Sequence, residues 1–512
     1  MNLTMAGFDT LRLARRFGLP LHLYDIRQIA GNIYAFQSVF KETGINGRVC
    51  YAVKACGFPE IVKLAAKAGA GADVASEYEL ATALEAGLSQ EKLVIHGNAK
   101  SDVYLEQAVA LGALIGANHY TELDRIEAEA GKQRKTVRVL LRLSGFELGA
   151  VTAEGIFTAG VWCKFGEPVA EVPALLKALG KWPHIDLVGF HVHIGSQITE
   201  VEPYQEVLGK MAELAGQYQG ITDRPVEILN LGGGFPVSYV DQRTWNSLVR
   251  SIRSQIESKR VSLNRSKKSP GAKIPPTPPL LKGGIQGLPL WERGNEGDLK
   301  IIQSVTWEGM TGGFKPDHET GKMDWNHWSG EKFYSPYPKE KMLTRLLGGK
   351  IPYDGSDVPV KKVLEKIGNP NLIVEPGRAI VGDAGITLAR VVDIYSVAGG
   401  HPLVTLDLGI VNHGTGLVEP DLYTWTLAND IERKDRRPFR AFVAGRLCFS
   451  GDLLSRYLVS FPRKPVRGDI AVIEKTGAYA PAFFASRANG FPLPACVLLD
   501  SGRKAIRMKQ IG

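Results

Sequence analysis

At 512 residues, with 44% hydrophobic and 22% charged side chains, the chain is long enough for two or more domains with sizeable cores. No apolar run reaches the ~18 residues of a membrane helix, and Met1 to Arg16 lacks the apolar core of a signal peptide, so a cytoplasmic protein without membrane contact is expected. The net charge of +9 is concentrated: six of those charges lie between Lys259 and Lys300, which leaves no distributed basic face to track phosphates and excludes a nucleic-acid partner.

The first 21 residues precede any repeating pattern and are expected to return onto the far end of the chain. From there, short apolar runs alternate with amphipathic stretches. The predicted strands are Arg48–Ala55, Gly71–Ser76, Lys92–Gly97, Ala113–His119, Val137–Leu143, Asp186–Gly195, Val226–Phe235 and Asn371–Ile380. Stretches such as Glu60–Ala70 and Tyr78–Gly87 carry apolar residues at helical spacing between them. Eight βα units predict an α/β fold, a TIM (β/α)8 barrel over 22–388, with an open doubly wound sheet as the rival arrangement. One connection is anomalous, because Gly232 and Glu375 stand 143 positions apart. The centre of that interval, about 260–300, is rich in Pro, Gly and Lys without periodicity and reads as a low-complexity insertion. After Ala389 the texture changes to short β-like runs: Val391–Val397, Leu403–Leu408, Arg440–Val443, Asp469–Ile473 and Ala495–Leu499. A C-terminal all-β domain is expected there, built from 389–512 with 1–21.

Barrel enzymes carry their chemistry at the C-terminal strand ends. Here those ends read "YAVKA" with Lys54, "GADVAS" with Asp73, "HGNAKS", Arg142, "HVHIGSQ", "GGGF" and "EPGR". Lysine at the end of an apolar strand either snorkels to solvent or, desolvated, serves as an amine that forms a Schiff base. The Gly232–Gly234 run is a turn or a phosphate cradle. His191 and His193, two apart, either pack in the core, lie flat on an aromatic cofactor or bind a metal; with no third ligand visible, no metal is expected. Glu375 and Arg378 flank a Pro-Gly turn. The five cysteines are scattered without a C-x-x-C pair, which points to a reducing compartment.

The motifs "YAVKA", "GADVASEYEL", "HGNAKSD", "HVHIGSQI", "LNLGGGFP", "EPGRAI", "CFSGDLL" and "GAYAPAFF" occur in one order. In that order the chain resembles the fold-type III decarboxylases that use pyridoxal 5′-phosphate (PLP), the diaminopimelate, ornithine and lysine decarboxylase group. The likeness runs from about residue 10 to the C-terminus and leaves out most of 240–365. It implies decarboxylation of a diamino acid by PLP bound as a Schiff base on Lys54, in a homodimer whose active sites are shared. By the resemblance Glu375 faces the pyridine nitrogen and His193 stacks on the ring. Ser196, Gly234, Arg378 and Tyr479 anchor the phosphate, and Asp73 and Arg142 stand beside the cofactor. Cys448, reaching over from the partner, returns a proton to the substrate. Arg378, Glu419, Tyr423, Asp452 and Tyr479 are the implied substrate contacts.

Two positions depart from the diaminopimelate pattern. The segment usually written RP-x-L-Y is "EPDLY", so Glu419 replaces the arginine expected to hold the distal carboxylate. Phe449 replaces the acid that usually follows the cysteine. Glu419 would repel a distal carboxylate and favour lysine or ornithine, whereas Phe449 removes a partner for the distal ammonium. The competing classes are an amino-acid racemase on the same fold, which would need a second acid/base and lacks "HVHIGSQ" and "CFSGD", and a non-catalytic decarboxylase-like regulator. The regulator would be expected to have lost Lys54 or Cys448, and both are present.

Overall fold

Alternation along each strand decides the interior of the barrel. The computed structural model describes residues 2–148, 157–246, 334–397, 402–413, 423–429, 437–481, 487–501 and 503–509. Eight parallel strands, β1 (Gly47–Ala52), β2 (Gly71–Val74), β3 (Leu93–Ile95), β4 (Leu114–Ala117), β5 (Val137–Ser144), β6 (Ile185–His191), β7 (Ile228–Asn230) and β8 (Asn371–Val374), pair in chain order, and β8 closes on β1. The rival open sheet is thereby excluded.

Cys50, Val94, Leu114, Leu140, Val188, Ile228 and Ile373, one from each of seven strands, form an apolar floor inside the barrel. Their neighbours on the other face, such as Val49, Tyr51, Ile95, Val139 and Leu141, join the larger core with the surrounding helices. Burying a side chain of this size contributes about 1.5–3 kcal/mol, so the period of two is enforced on both faces. Two residues beyond the floor, the same parity brings Ala52, His96, Gly116, Arg142, Asn230 and Glu375 to the C-terminal mouth, and Asp73 joins them two residues past Gly71.

The expected strands overran at both ends of the barrel. The first stops at Ala52, and Lys54 sits in a 3-10 turn, Val53–Ala55. The last stops at Val374, and Arg378 opens a short helix, Arg378–Val381. In each case the chain must leave the barrel wall to border the mouth, and Pro376 withdraws a backbone donor where the last strand breaks off.

A second sheet is built around Gly385–Ser396, which pairs antiparallel with Pro402–Leu406, Ile470–Glu474 and Leu21–Asp25. Leu21–Asp25 also pairs parallel with Ala495–Asp500. The strand Leu21–Asp25, whose residues 22–25 fall within the span expected for the barrel, thus belongs to this sheet, because Leu21 and Leu23 bury against Leu388, Val472 and Val497. Trp425–Leu427, Phe439–Ala444, Leu453–Phe461 and Lys504–Arg507 complete it. No helix among the described residues is long and apolar enough to cross a membrane.

The low-complexity stretch at 260–300 lies outside the described residues. Its flanks are tied together: the Lys339 N–H donates to Pro236 O at 2.7 Å, the Ser335 N–H donates to Ser238 Oγ at 3.2 Å, and Trp245 stacks on Tyr334. Deleting 260–300 is therefore expected to shift the thermal midpoint by less than about 3 °C, since loop length enters stability only logarithmically. Thermal melts of full-length and shortened protein check this; an unfolded deletion product would make the segment structural.

Candidate active site

One cavity opens at the C-terminal ends of the strands, and Ala52, Lys54, His193, Ser196, Gly234, Glu375, Arg378 and Tyr479 all border it. The first and last strands are neighbours in the closed barrel, which is how Lys54 and Glu375 meet despite their separation in sequence.

Lys54 Nζ lies 3.9 Å from Asp73 Oδ2, with 42% of the lysine side chain accessible and Asp73 buried. Burial alone would make the amine shed its proton more easily, but Asp73, Tyr479 and Glu375 outweigh it and hold its pKa above the usual lysine value. Asp73 is raised above the usual carboxylate range, by burial first and then by Glu375. Glu375 goes the other way. Burial opposes its charge, yet His96, Asn230 and Lys54 prevail and keep it lowered. Two nearby carboxyls are thus driven apart in acidity, a pattern characteristic of reactive centres.

His191 and His193, expected to share one side of a strand, part company. Strand β6 ends at His191, whose buried ring packs 4.2 Å from that of His96 with neither nitrogen hydrogen-bonded. His193 borders the cavity, and its Nδ1 accepts the Gly233 N–H at 3.1 Å. Burial and the cations Lys54 and Arg142 hold its pKa well below the usual imidazole value, so the ring is neutral with its proton on Nε2. Arg142 is buried over the Phe165 ring at 4.2 Å, its Nε without a hydrogen bond, and burial lowers it to about 10.

The anion-binding side is a cradle. Gly234 has φ +92°, and a Cβ there would stand 2.8 Å from Gly195 O and 2.9 Å from the Tyr204 hydroxyl. Only glycine fits without strain. Arg378 donates from Nε and Nη2 to Ser196 Oγ at 3.3 and 3.2 Å and from Nη1 to the Tyr239 hydroxyl at 2.6 Å, and its guanidinium lies over the Tyr479 ring. Tyr479 holds a positive φ of 64°, costly for an aromatic residue, and its N–H donates to Ala55 O at 2.8 Å beside Lys54.

The remaining expected residues lie elsewhere. Cys448 is exposed and does not border the cavity. Asp452 does not point outward as a substrate contact would. Its Oδ1 accepts the Ile410 N–H at 2.6 Å and its Oδ2 the Leu447 N–H at 2.7 Å, clamping the loop that displays Cys448 and Phe449. Tyr423 is buried against Tyr239 and His413. Glu419 lies outside the described residues.

Two residues without an expected role stand behind the cavity wall, against Glu375. His96 Nε2 and Asn230 Nδ2 both reach Glu375 Oε1, at 2.7 and 2.6 Å. The motif "HGNAKS" had flagged the first without a role; Asn230 carried no signal beyond its position at a strand end. With them, His191 acquires the possible co-ligands that its sequence neighbourhood lacked, since His96, His191 and Glu375 bring one ligand atom each within 4.8 Å. The 2.7 Å contact is a hydrogen-bond distance, shorter than the spacing of about 3.3 Å between ligands of a tetrahedral zinc site bonded at ~2.0–2.1 Å.

A lysine amine, a charged carboxylate opposite it, a neutral imidazole and an arginine-glycine cradle at one mouth form a donor set that fits a phosphorylated pyridine aldehyde. Arg142 Nε, buried and unbonded at the same mouth, adds a donor of the right sign.

Residues 27–268 match the family described as pyridoxal-dependent decarboxylase, pyridoxal binding domain. The diaminopimelate decarboxylase of Halalkalibacterium halodurans is 33% identical over 98% of this chain and 91% of its own length. That of Staphylococcus aureus is 29% identical over 98% and 93%. In fold, the chain is similar to the crystal structure of diaminopimelate decarboxylase from M. jannaschii, with TM-score 0.70 and 22% identity over 99% of this chain and 92% of that one.

Proposed function

The chain belongs to the fold-type III PLP-dependent decarboxylases and is a carboxy-lyase for a diamino acid; we propose that this diamino acid is diaminopimelate. The observation that carries the reading is the meeting of Lys54, Glu375 and Arg378 around one cavity.

Bound PLP supplies an electron sink for the bond that releases carbon dioxide. Lys54 would hold it covalently through Nζ. Glu375, kept charged, would face its ring nitrogen and hold a proton there. His193, neutral, would cover one ring face, which a charged imidazole would do less well beside Lys54 and Arg142. Ser196, Gly234, Arg378 and Tyr479 would bind its phosphate, with Arg378 as the compensating charge. The site excludes bulk water from Glu375 by burial, so the carboxylate acts at full strength.

Cys448 would hold a proton at Sγ and deliver it to the substrate carbon. Its place outside the cavity of its own chain, on a loop clamped by Asp452, supports delivery in a homodimer, to the partner's cavity. A cytoplasmic setting fits the five unpaired cysteines.

Carbon dioxide release, measured with added PLP across L-, D- and meso-diamino acids, tests the function. The names of the relatives favour meso-diaminopimelate, whose kcat/KM is expected to exceed those of lysine and ornithine. Glu419 favours the opposite order, because a carboxylate contact in a desolvated pocket costs several kcal/mol. The ratio between substrates decides. If lysine or ornithine is preferred and Glu419→Arg reverses the order, the diaminopimelate reading fails and Glu419 sets the polarity.

A further inference from the structure

Glu375 is held from behind the mouth by groups that take no part in the chemistry above. Both hydrogen bonds it accepts among the described residues fall on Oε1, from His96 and from Asn230. Its Oε2 lies 3.6 Å from His191 Nε2, beyond hydrogen-bond range. The carboxylate is therefore tied by one oxygen only.

Each tie is itself fixed. Asn230 Oδ1 accepts the Gly232 N–H at 2.8 Å, which commits the amide to donating through Nδ2. A carboxylate oxygen only accepts, so His96 carries its proton on Nε2. The His96 ring lies between the His191 ring and Gly116, where a Cβ would stand 2.5 Å from Nδ1. Three elements, the ends of β3, β4 and β6, thus set the plane of one imidazole.

We propose that His96 and Asn230 are positioning residues that lock Glu375 through Oε1 and thereby keep Oε2 for the ring nitrogen of PLP. The proposal rests on the functional reading above, in which Glu375 meets that nitrogen. Neither residue borders the cavity, so neither is catalytic. The arrangement gives the carboxylate one orientation, where a free glutamate would sample several at a cost in rotamer entropy on binding.

The test compares PLP with an analogue whose ring nitrogen is replaced by carbon, titrated by fluorescence into cofactor-free protein. In His96→Leu, PLP affinity is expected to fall about tenfold, as for one charge-assisted hydrogen bond lost, while affinity for the analogue changes less than about twofold. His96→Gln, which keeps a donor, should recover most of the loss. Gly116→Ala should reproduce the selective loss in smaller degree by displacing the ring, and serves if the leucine variant does not fold. Equal losses for the two compounds would mean that His96 merely supports the barrel, and an unchanged PLP affinity would show no role; either overturns the proposal. So would stoichiometric zinc removed by His96→Leu. Wild-type protein that binds no PLP would overturn the functional reading first, a failure visible before any variant is made.

Discussion

Replacing Lys54 by alanine is expected to lower kcat/KM roughly a thousandfold or more, equivalent to about 4 kcal/mol of transition-state stabilisation. The reason is positional. Lys54 brings an amine to the border of the cavity, two residues beyond Ala52 on the wall and 3.9 Å from the Asp73 carboxylate. The variant should still fold, because the lysine side chain is 42% accessible and contributes little to the core. Borohydride reduction of wild-type protein saturated with PLP, followed by peptide mapping, should place the pyridoxyl group on Lys54. A label on another lysine, or full activity in Lys54→Ala, defeats the central assignment.

Cys448→Ala is expected to lower kcat about a hundredfold, the usual scale for losing a positioned proton donor. The larger effect is the reversal. Mixing inactive Lys54→Ala and Cys448→Ala chains should restore about a quarter of wild-type activity, since in a twofold-symmetric dimer half of the randomly formed pairs are mixed and each carries one intact site. The structure motivates this through the clamped loop, which presents Cys448 to solvent rather than to its own cavity. Confirmed subunit exchange without recovery places the cysteine's action within one chain or removes it from the mechanism.

Much of the mouth was legible because strand alternation carries chemical meaning. Arg142 and Glu375 each stand two positions past a residue whose side chain faces the barrel interior, so their common destination follows from a period of two once the eight strands are counted. Lys54 shares that parity, although its residue lies in a turn rather than in the strand. What parity cannot give is pairing across the interior. His96 and Asn230 become partners of Glu375 only when β3, β7 and β8 are bent into one ring, and no local pattern records which buried polar group will receive which donor. The pKa of Lys54 follows the same rule: burial is local, but the carboxylates that overcome it come from other strands. For Asp452 the resemblance implies a substrate contact. The backbone N–H groups that occupy both its oxygens are contributed by Ile410 and Leu447, one of them 42 positions away. In the second sheet, Leu453–Phe461 and Trp425–Leu427 went unseen because strands of three residues, or strands flanked by glycine and charge, give no distinct alternation.

The backbone just before residue 246 and just after 334 runs side by side, with Pro236 and Ser238 paired to Lys339 and Ser335. Covalent continuity at that point is therefore dispensable in principle. A protease that severed it would yield two polypeptides that stay associated, one contributing seven barrel strands with Lys54 and the other contributing β8 with Glu375 and Arg378. Neither half alone could close the ring. Two separately encoded halves would assemble into a working whole, and the reaction would report their assembly.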